Sequence, residues 1–368
     1  YRPRDARSRR RSGMSVQALE AAALVLKAPR ELAFVPLELG PLAAEEVRIR
    51  TLYSGISAGT ELTQYRGTNP HMNRRWDPLT RLFVNADDPS WPYPVANLGY
   101  EEVGEVIEVG SAVDDVRAGQ RTFGTWWHRT HHVAHRDIVR DRLLPDGADP
   151  RIGIFSHIGA VALNGVHDAQ IRLGDLVAVF GLGTPGQIVV QMARASGATV
   201  IGVDPVKERR EMALRLGADR VLDPAAGSVA ERIKADTGGR GADVCIEVSG
   251  AALALHEAIR AVAYSSRVVA MGFFQGEPRG LRLGEEFHHN RVELICSQIS
   301  GVAPAASHRW SRLRLWQSAI RLQHEGRLNL LPLITHCVPF AEAPAMFTRI
   351  DAGEPGMLQA VLAFEASA

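Results

Sequence analysis

The chain is poor in cysteine, with three in 368 residues: Cys245, Cys296 and Cys337, each alone in an apolar segment. With no C-x-x-C pair and no even framework, a disulfide scaffold is excluded and a reducing cytoplasm is the compartment that fits best. Charge of one sign is lacking too. The 42 Lys and Arg against 41 Asp and Glu leave a net charge of +1, which offers no global field to nucleic acid or an acidic membrane. No apolar run reaches the roughly 20 residues that a membrane-crossing helix needs. The expectation is a cytoplasmic protein of two domains whose partner is a small-molecule substrate, with no nucleic acid and no membrane. Residues 1–13 are arginine-rich, without apolar periodicity, and Met14 follows them. They read as a disordered arm ahead of a start at Met14, a transit peptide or a nucleic-acid arm being the other uses of such a segment.

What is present is a glycine signature. The apolar strand Leu176–Phe180 runs into Gly181-Leu182-Gly183-Thr184-Pro185-Gly186, and a second apolar strand ends at Asp204 about twenty residues on. The first glycine permits a tight turn, the second lets backbone approach a pyrophosphate, and the third lets the next helix pack on the strand. That helix presents its N-terminus to the phosphates. Asp204 stands where an adenosine ribose offers its hydroxyls and would repel a 2′-phosphate, so NAD is expected in preference to NADP. Lys207, Arg209 and Arg210 are the counter-evidence, as a phosphate grip or as a solvated helix face.

The texture of the chain changes along its length. From about Ala21 to Leu144, short alternating bursts such as Val47–Leu52 and Gly104–Gly110 are broken by Gly and Pro, the pattern of a mostly antiparallel β domain. From Leu176 to about Ser297, strand and helix alternate. Six candidate strands (176–180, 199–203, 220–222, 243–247, 267–271 and 292–296) are separated by helical stretches at 207–216, 229–236 and 251–262. The fold class is therefore α/β, a β-rich domain plus a doubly wound parallel sheet. The domains are expected at 14–155 together with 335–368, and at 156–334. Gln359–Phe364 is a strand that returns to the first domain.

Further segments carry a family resemblance that covers nearly everything after Met14. Tyr53-Ser-Gly-Ile-Ser57-Ala-Gly-Thr60-Glu61 is similar to a G-I-C-G-T-D segment, and Leu98-Gly-Tyr100-Glu101-Glu-Val-Gly-Glu-Val to G-H-E-x-x-G-x-V. Gly217-Ala-Asp219 and Asp243–Gly250 match the later cofactor domain. In order, these resemble the medium-chain dehydrogenase/reductase superfamily of zinc-type alcohol dehydrogenases, in a zinc-ligand-depleted branch similar to bacteriochlorophyllide and threonine dehydrogenase-like proteins. The resemblance implies a GroES-like catalytic domain, a Rossmann domain and a homodimer or homotetramer. It also extends the cofactor site to Ser249, Gly272 and Phe273.

Zinc members of that superfamily bind metal through a cysteine, a histidine and a third Cys, Glu or His. By the resemblance those positions fall here on Ser57 or Ala58, on Tyr100 and on His157. One imidazole with a serine and a phenol is a poor zinc donor set, and no cysteine before Cys245 supplies the structural-zinc lobe of many relatives. No catalytic zinc is expected. Without a Lewis acid, the alcohol proton needs a general base. His157 is the candidate, with Tyr100 binding the substrate oxygen, Thr60 at the relay position, and Glu61 and Glu101 orienting His157 or Tyr100. The alternative is that Tyr100 and His157 are core residues at a domain junction.

Other features leave choices open. His128, His131, His132 and His135 form a replacement metal cluster or an extended segment whose histidines diverge. His288 and His289 line a cleft or a subunit contact. The long insert between Gly67 and Gly99, with Arg74, Arg75, Trp76, Trp91 and Tyr93, either holds an anionic or polyol substrate or is a solvated loop. The function expected is NAD-dependent interconversion of a secondary alcohol and a ketone on a polar, sugar-like substrate. A redox-neutral epimerase or lyase with tightly held NAD, and a non-enzymatic NAD(P)H-sensing protein, are the alternatives.

Overall fold

A computed structural model describes residues 21–364. The arm at 1–13 and the start at Met14 lie outside the described residues. Two six-stranded sheets organise the chain. The first is built on Glu46–Ile56, an 11-residue strand. Glu101–Val109 pairs antiparallel to it, with Gly55 opposite Glu101 and Ser54 opposite Glu102. On its other side runs Gln359–Ala363, with Ala360 opposite Ile56. The C-terminal strand thus returns to the first sheet, and a helix over Ala343–Asp351 comes with it, Phe347 lying against Tyr65 at 5.5 Å between centroids.

The second sheet orders its strands as Arg220–Leu222, Thr199–Val203, Leu176–Phe180, Ala242–Glu247, Val262–Ala270 and Glu293–Cys296, all parallel. Parallel strands covered by helices on both faces read as near-continuous apolar runs, and Val177, Val179, Val200 and Ile246 are fully buried. The strand order reverses where Leu176–Phe180 pairs with Ala242–Glu247, and such a switch point opens a crevice at the carboxyl ends of the strands. Helices cover Thr184–Ala195, Lys207–Leu216, Val229–Asp236 and Ala252–Ala261. The fifth strand begins at Val262 rather than Arg267, because the chain turns from helix directly into the sheet.

The insert after Gly67 is ordered. A short helix at Pro70–Asn73 and a hairpin of Arg75–Asp77 with Leu82–Val84 enclose an aromatic cluster in which His71 stacks on Trp91 at 4.2 Å. Arg75 is paired with Asp88. Thr68 donates to Gln275 Oε1 at 3.1 Å, which joins the base of the insert to the turn after the fifth strand. His288 and His289 are both exposed. No helix among the described residues is long and apolar enough to cross a membrane.

Candidate active site

The cofactor cradle lies at the switch point. Gly181 has φ +95°, and a Cβ there would stand 2.8 Å from the Ser249 backbone nitrogen, so only glycine fits between the two turns. At Gly186 a Cβ would overlap the Gly181 carbonyl, while Gly183 faces open space. The helix starts at Thr184, because Pro185 is tolerated in a first turn.

Asp204 is buried at the end of the second strand. Its Oδ2 accepts from the Leu182 N–H and its Oδ1 from the Val206 N–H, each at 2.8 Å. The carboxylate therefore shapes the glycine turn. Of the three nearby bases, Arg210 is tied to Asp223 at 2.7 Å and Lys207 lies 3.7 Å from Glu211. Arg209 approaches the Asp204 carboxylate at 3.9 Å.

Glu247, fully buried, accepts from the amides of Ser249 at 2.7 Å and Gly250 at 3.1 Å. Burial raises its pKa despite those bonds. A Cβ at Gly272 would come within 2.6 Å of the Glu247 carboxylate, so the turn carrying Gly272 and the half-exposed Phe273 abuts the one carrying Ser249.

The second cluster lies in the first sheet and at the start of the helix Phe155–Ala169. The Tyr100 phenol donates to Ser57 Oγ, and its ring stands edge-on to His157 with centroids 4.8 Å apart at 61°. Thr60 lies close enough to the Tyr100 phenol to lower its pKa against the effect of burial. Tyr100 and His157 both keep part of their surface open. Burial, with the nearby Glu101 and Glu61, raises the phenol above its usual range. Burial and the Arg312 charge lower His157 to about 4. The imidazole is therefore neutral at neutral pH, further below the ordinary value of about 6.5 than sequence reasoning anticipates. Its Nδ1 is buried without a hydrogen-bond partner in the fold.

Beneath the pair runs a chain of buried polar groups. Glu61 Oε1 accepts from the Ser57 N–H at 2.8 Å, and the Glu61 N–H donates to the Ser57 carbonyl at 3.0 Å, a reciprocal closure of the helix Thr60–Arg66. Glu61 Oε2 meets His128 Nε2 at 2.8 Å, and His128 Nδ1 meets Ser54 Oγ at 2.6 Å. Ser54 donates to Glu102 Oε1 at 3.0 Å, and the Trp126 N–H to Glu102 Oε2 at 2.7 Å. Burial pushes Glu102 up to about 7 and Glu101 well above the usual carboxylate range. Burial opposes the charged form of His128, but the Glu61 carboxylate outweighs it and the pKa is raised.

Neither Glu61 nor Glu101 is hydrogen-bonded to His157. Glu61 reaches Tyr100 through Ser57, while Glu101 accepts from Gln359 Nε2 at 3.2 Å, on the returning strand. His128 and Glu102 are missed as members of this network. The four histidines diverge: His128 is wholly buried, His132 stacks on Trp126, His131 meets Thr130 at 3.0 Å, and His135 lies near Glu45 and Asp137.

The donors at the inherited metal position do not fit zinc. Ser57 and Tyr100 are engaged with each other, and a phenol whose pKa is raised holds its proton against a metal. Among the described residues, the one group of three His, Cys or carboxylate side chains close enough to share an ion is His256, Glu285 and Glu286. There, Arg282 and Arg260 already pair with the two carboxylates at 3.2 Å.

A glycine cradle at the switch point of a 3-2-1-4-5-6 sheet, joined to a β-rich domain that the C-terminal strand completes, defines a nicotinamide-cofactor oxidoreductase of the alcohol dehydrogenase type. Comparison with known proteins agrees. Residues 186–313 match the family described as zinc-binding dehydrogenase. D-guloside 3-dehydrogenase of Shigella flexneri is 35% identical over 329 residues, 88% of this chain and 94% of its own length. (R,R)-butanediol dehydrogenase of Bacillus subtilis is 28% identical over 79% of this chain and 84% of its own. A solved structure from Sinorhizobium meliloti, described as a zinc-binding dehydrogenase bound to NADP, superposes with a TM-score of 0.72 at 22% identity, covering 93% of this chain and 99% of its own. The chain belongs to the zinc-binding dehydrogenase family of the medium-chain dehydrogenase/reductase superfamily.

Proposed function

We propose that the chain interconverts a secondary alcohol and a ketone on a sugar or glycoside, with NAD as hydride carrier and without zinc. The observation that carries this is the Tyr100–His157 pair, partly open to solvent and set at the place where relatives are expected to hold metal. The helix Phe155–Ala169 links that pair to the cradle. His157 lies in its first turns, and Gly165, about 12 Å further along the axis, packs on Met271 beside Gly272. The D-guloside specificity of the 35% identical relative supports a sugar hydroxyl as the reacting group.

NAD would supply the hydride acceptor for the carbinol carbon. Gly181, Gly183 and Gly186 with the amides of Thr184 onward would hold its pyrophosphate, Asp204 would receive the adenosine ribose, and Ser249, Gly272 and Phe273 would border it. Lys207 is left to the solvated helix face. Tyr100 hydrogen-bonds the substrate oxygen by turning its single hydroxyl proton away from Ser57 Oγ, and the Ser57 hydroxyl then donates to the phenol oxygen. The hydroxyl proton goes to the neutral His157 imidazole as the hydride leaves, and the products are a ketone, NADH and one proton. Burial and Arg312 disfavour imidazolium, so His157 releases the proton to solvent, to which its side chain is partly open, rather than storing it. The outer edge of Glu293–Cys296 is a surface to which a second copy can add a strand, which supports a homodimer or homotetramer.

Incubation with NAD and, in turn, methyl D-guloside, 2,3-butanediol and L-threonine tests the reading. Ketone formation from the guloside, identified by mass spectrometry with stoichiometric NADH, is the expected result. A product isomeric with the substrate and no net NADH points to a redox-neutral enzyme instead.

A further inference from the structure

We propose that His128 is a positioning residue of the candidate active site, clamping from below the two chain segments that carry Ser57 and Tyr100. The inference rests on the reading of Tyr100 and His157 as the reacting pair.

Two sets of contacts carry it. Toward Ser57, His128 Nε2 holds Glu61 Oε2 at 2.8 Å, and the other oxygen of the same carboxylate holds the Ser57 amide at 2.8 Å. Toward Tyr100, the His128 backbone N–H donates to the Leu98 carbonyl at 2.8 Å, which brings the ring beneath that segment. The His128 ring also lies so close to Gly99 that a Cβ there would be 2.8 Å from its Nδ1. Gly99, at φ +100°, is thus shaped by the ring it must clear, and Tyr100 is the next residue. His128 therefore sets the relative position of the phenol and the serine hydroxyl it donates to.

A side chain that served only to fill the core would not be built this way. His128 and Glu61 are both essentially inaccessible to solvent, and a buried ionic pair is commonly no more stabilising than apolar residues of the same volume. The groups facing the ring are Glu61 from the helix Thr60–Arg66, Ser54 and Glu102 from two paired strands, and the edge of Phe347 from the helix Ala343–Asp351. Both ring nitrogens are spent on side chains, and the line of contacts that begins at Glu102 ends at the phenol. Groups that orient metal ligands typically cost ten- to a hundredfold in activity when removed, and a loss of the same order is expected for a group that orients Tyr100.

The test compares His128→Leu, which removes both ring contacts, with His128→Gln, which can keep one hydrogen bond to Glu61. Leu should lower kcat with methyl D-guloside by about tenfold or more, with NADH affinity unchanged within about twofold and Gln recovering part of the loss. A Leu variant that keeps full kcat overturns the inference. So does one whose kcat, NADH affinity and Tm fall together. If His128→Leu does not fold, Glu61→Gln takes its place with the same expectations. A readout free of turnover uses ring-labelled tyrosine, with the Tyr100 resonance assigned by its loss in Tyr100→Phe. That resonance should shift in His128→Gln and in Glu61→Gln, and an unmoved signal in both counts against positioning. Absence of guloside oxidation by the unmutated protein, with the resonance still shifting, overturns the substrate reading alone.

Discussion

Tyr100 stands edge-on to His157 with its phenol donating to Ser57, so one side chain joins the imidazole on the helix Phe155–Ala169 to the loop ahead of the helix Thr60–Arg66. The hydroxyl and the ring do separate work. Tyr100→Phe keeps the ring contact and loses both the hydrogen bond to Ser57 and the donor proposed for the substrate oxygen. It should lower kcat by ten- to a hundredfold with little change in NADH affinity, as measured by steady-state kinetics and nicotinamide fluorescence. Unaltered kcat would remove Tyr100 from the reaction.

His157→Gln should lower turnover by about a hundredfold or more, since no other imidazole adjoins the phenol among the described contacts. NADH affinity should hold, because the glycine turn and Asp204 are built without His157. A core histidine would behave otherwise, with Tm, cofactor affinity and turnover declining in proportion.

The Glu102 carboxyl makes a prediction about stability. Burial lifts its pKa from 4.5 to about 7, so between those values the folded state binds more protons than the unfolded one and stability falls as pH rises. The full effect, on the order of 3 kcal/mol, develops above pH 7. Glu102→Gln cannot ionise, and its stability relative to the unmutated protein should rise between pH 5 and pH 8. Urea unfolding at the two pH values measures this, and a constant difference would show that Glu102 does not titrate in that window.

The parallel sheet was legible because strands buried on both faces must be apolar throughout, and their helices carry the opposite periodicity. The glycine turn was legible because its constraints are local. The network under Tyr100 was not, because Glu61 and His128 are 67 residues apart and Glu101 and Gln359 are 258 apart. Nothing in the run from Trp126 to His135 distinguishes the one histidine that turns inward. The order of the insert was hidden for a related reason, since its aromatic cluster forms only when His71, Phe83 and Trp91 are brought together by the chain reversal between them.

The proposed preference for NAD over NADP rests on Asp204. Both of its oxygens hold backbone amides, so Asp204→Asn, which keeps one acceptor, is a gentler probe than alanine. NADH should bind more tightly than NADPH, and Asp204→Asn should narrow the gap by removing repulsion of a 2′-phosphate next to Arg209. Fluorescence titration decides it. Tighter NADPH binding by the unmutated protein would show that Arg209 governs the pocket.

The most direct test of a zinc-free dehydrogenase is NADH formation from methyl D-guloside by protein purified without chelator, assayed for metal content, and measured again after EDTA and dialysis. The account predicts far less than one zinc per chain and a rate that EDTA leaves unchanged. Stoichiometric zinc whose removal abolishes NADH formation, and whose return restores it, would contradict the account.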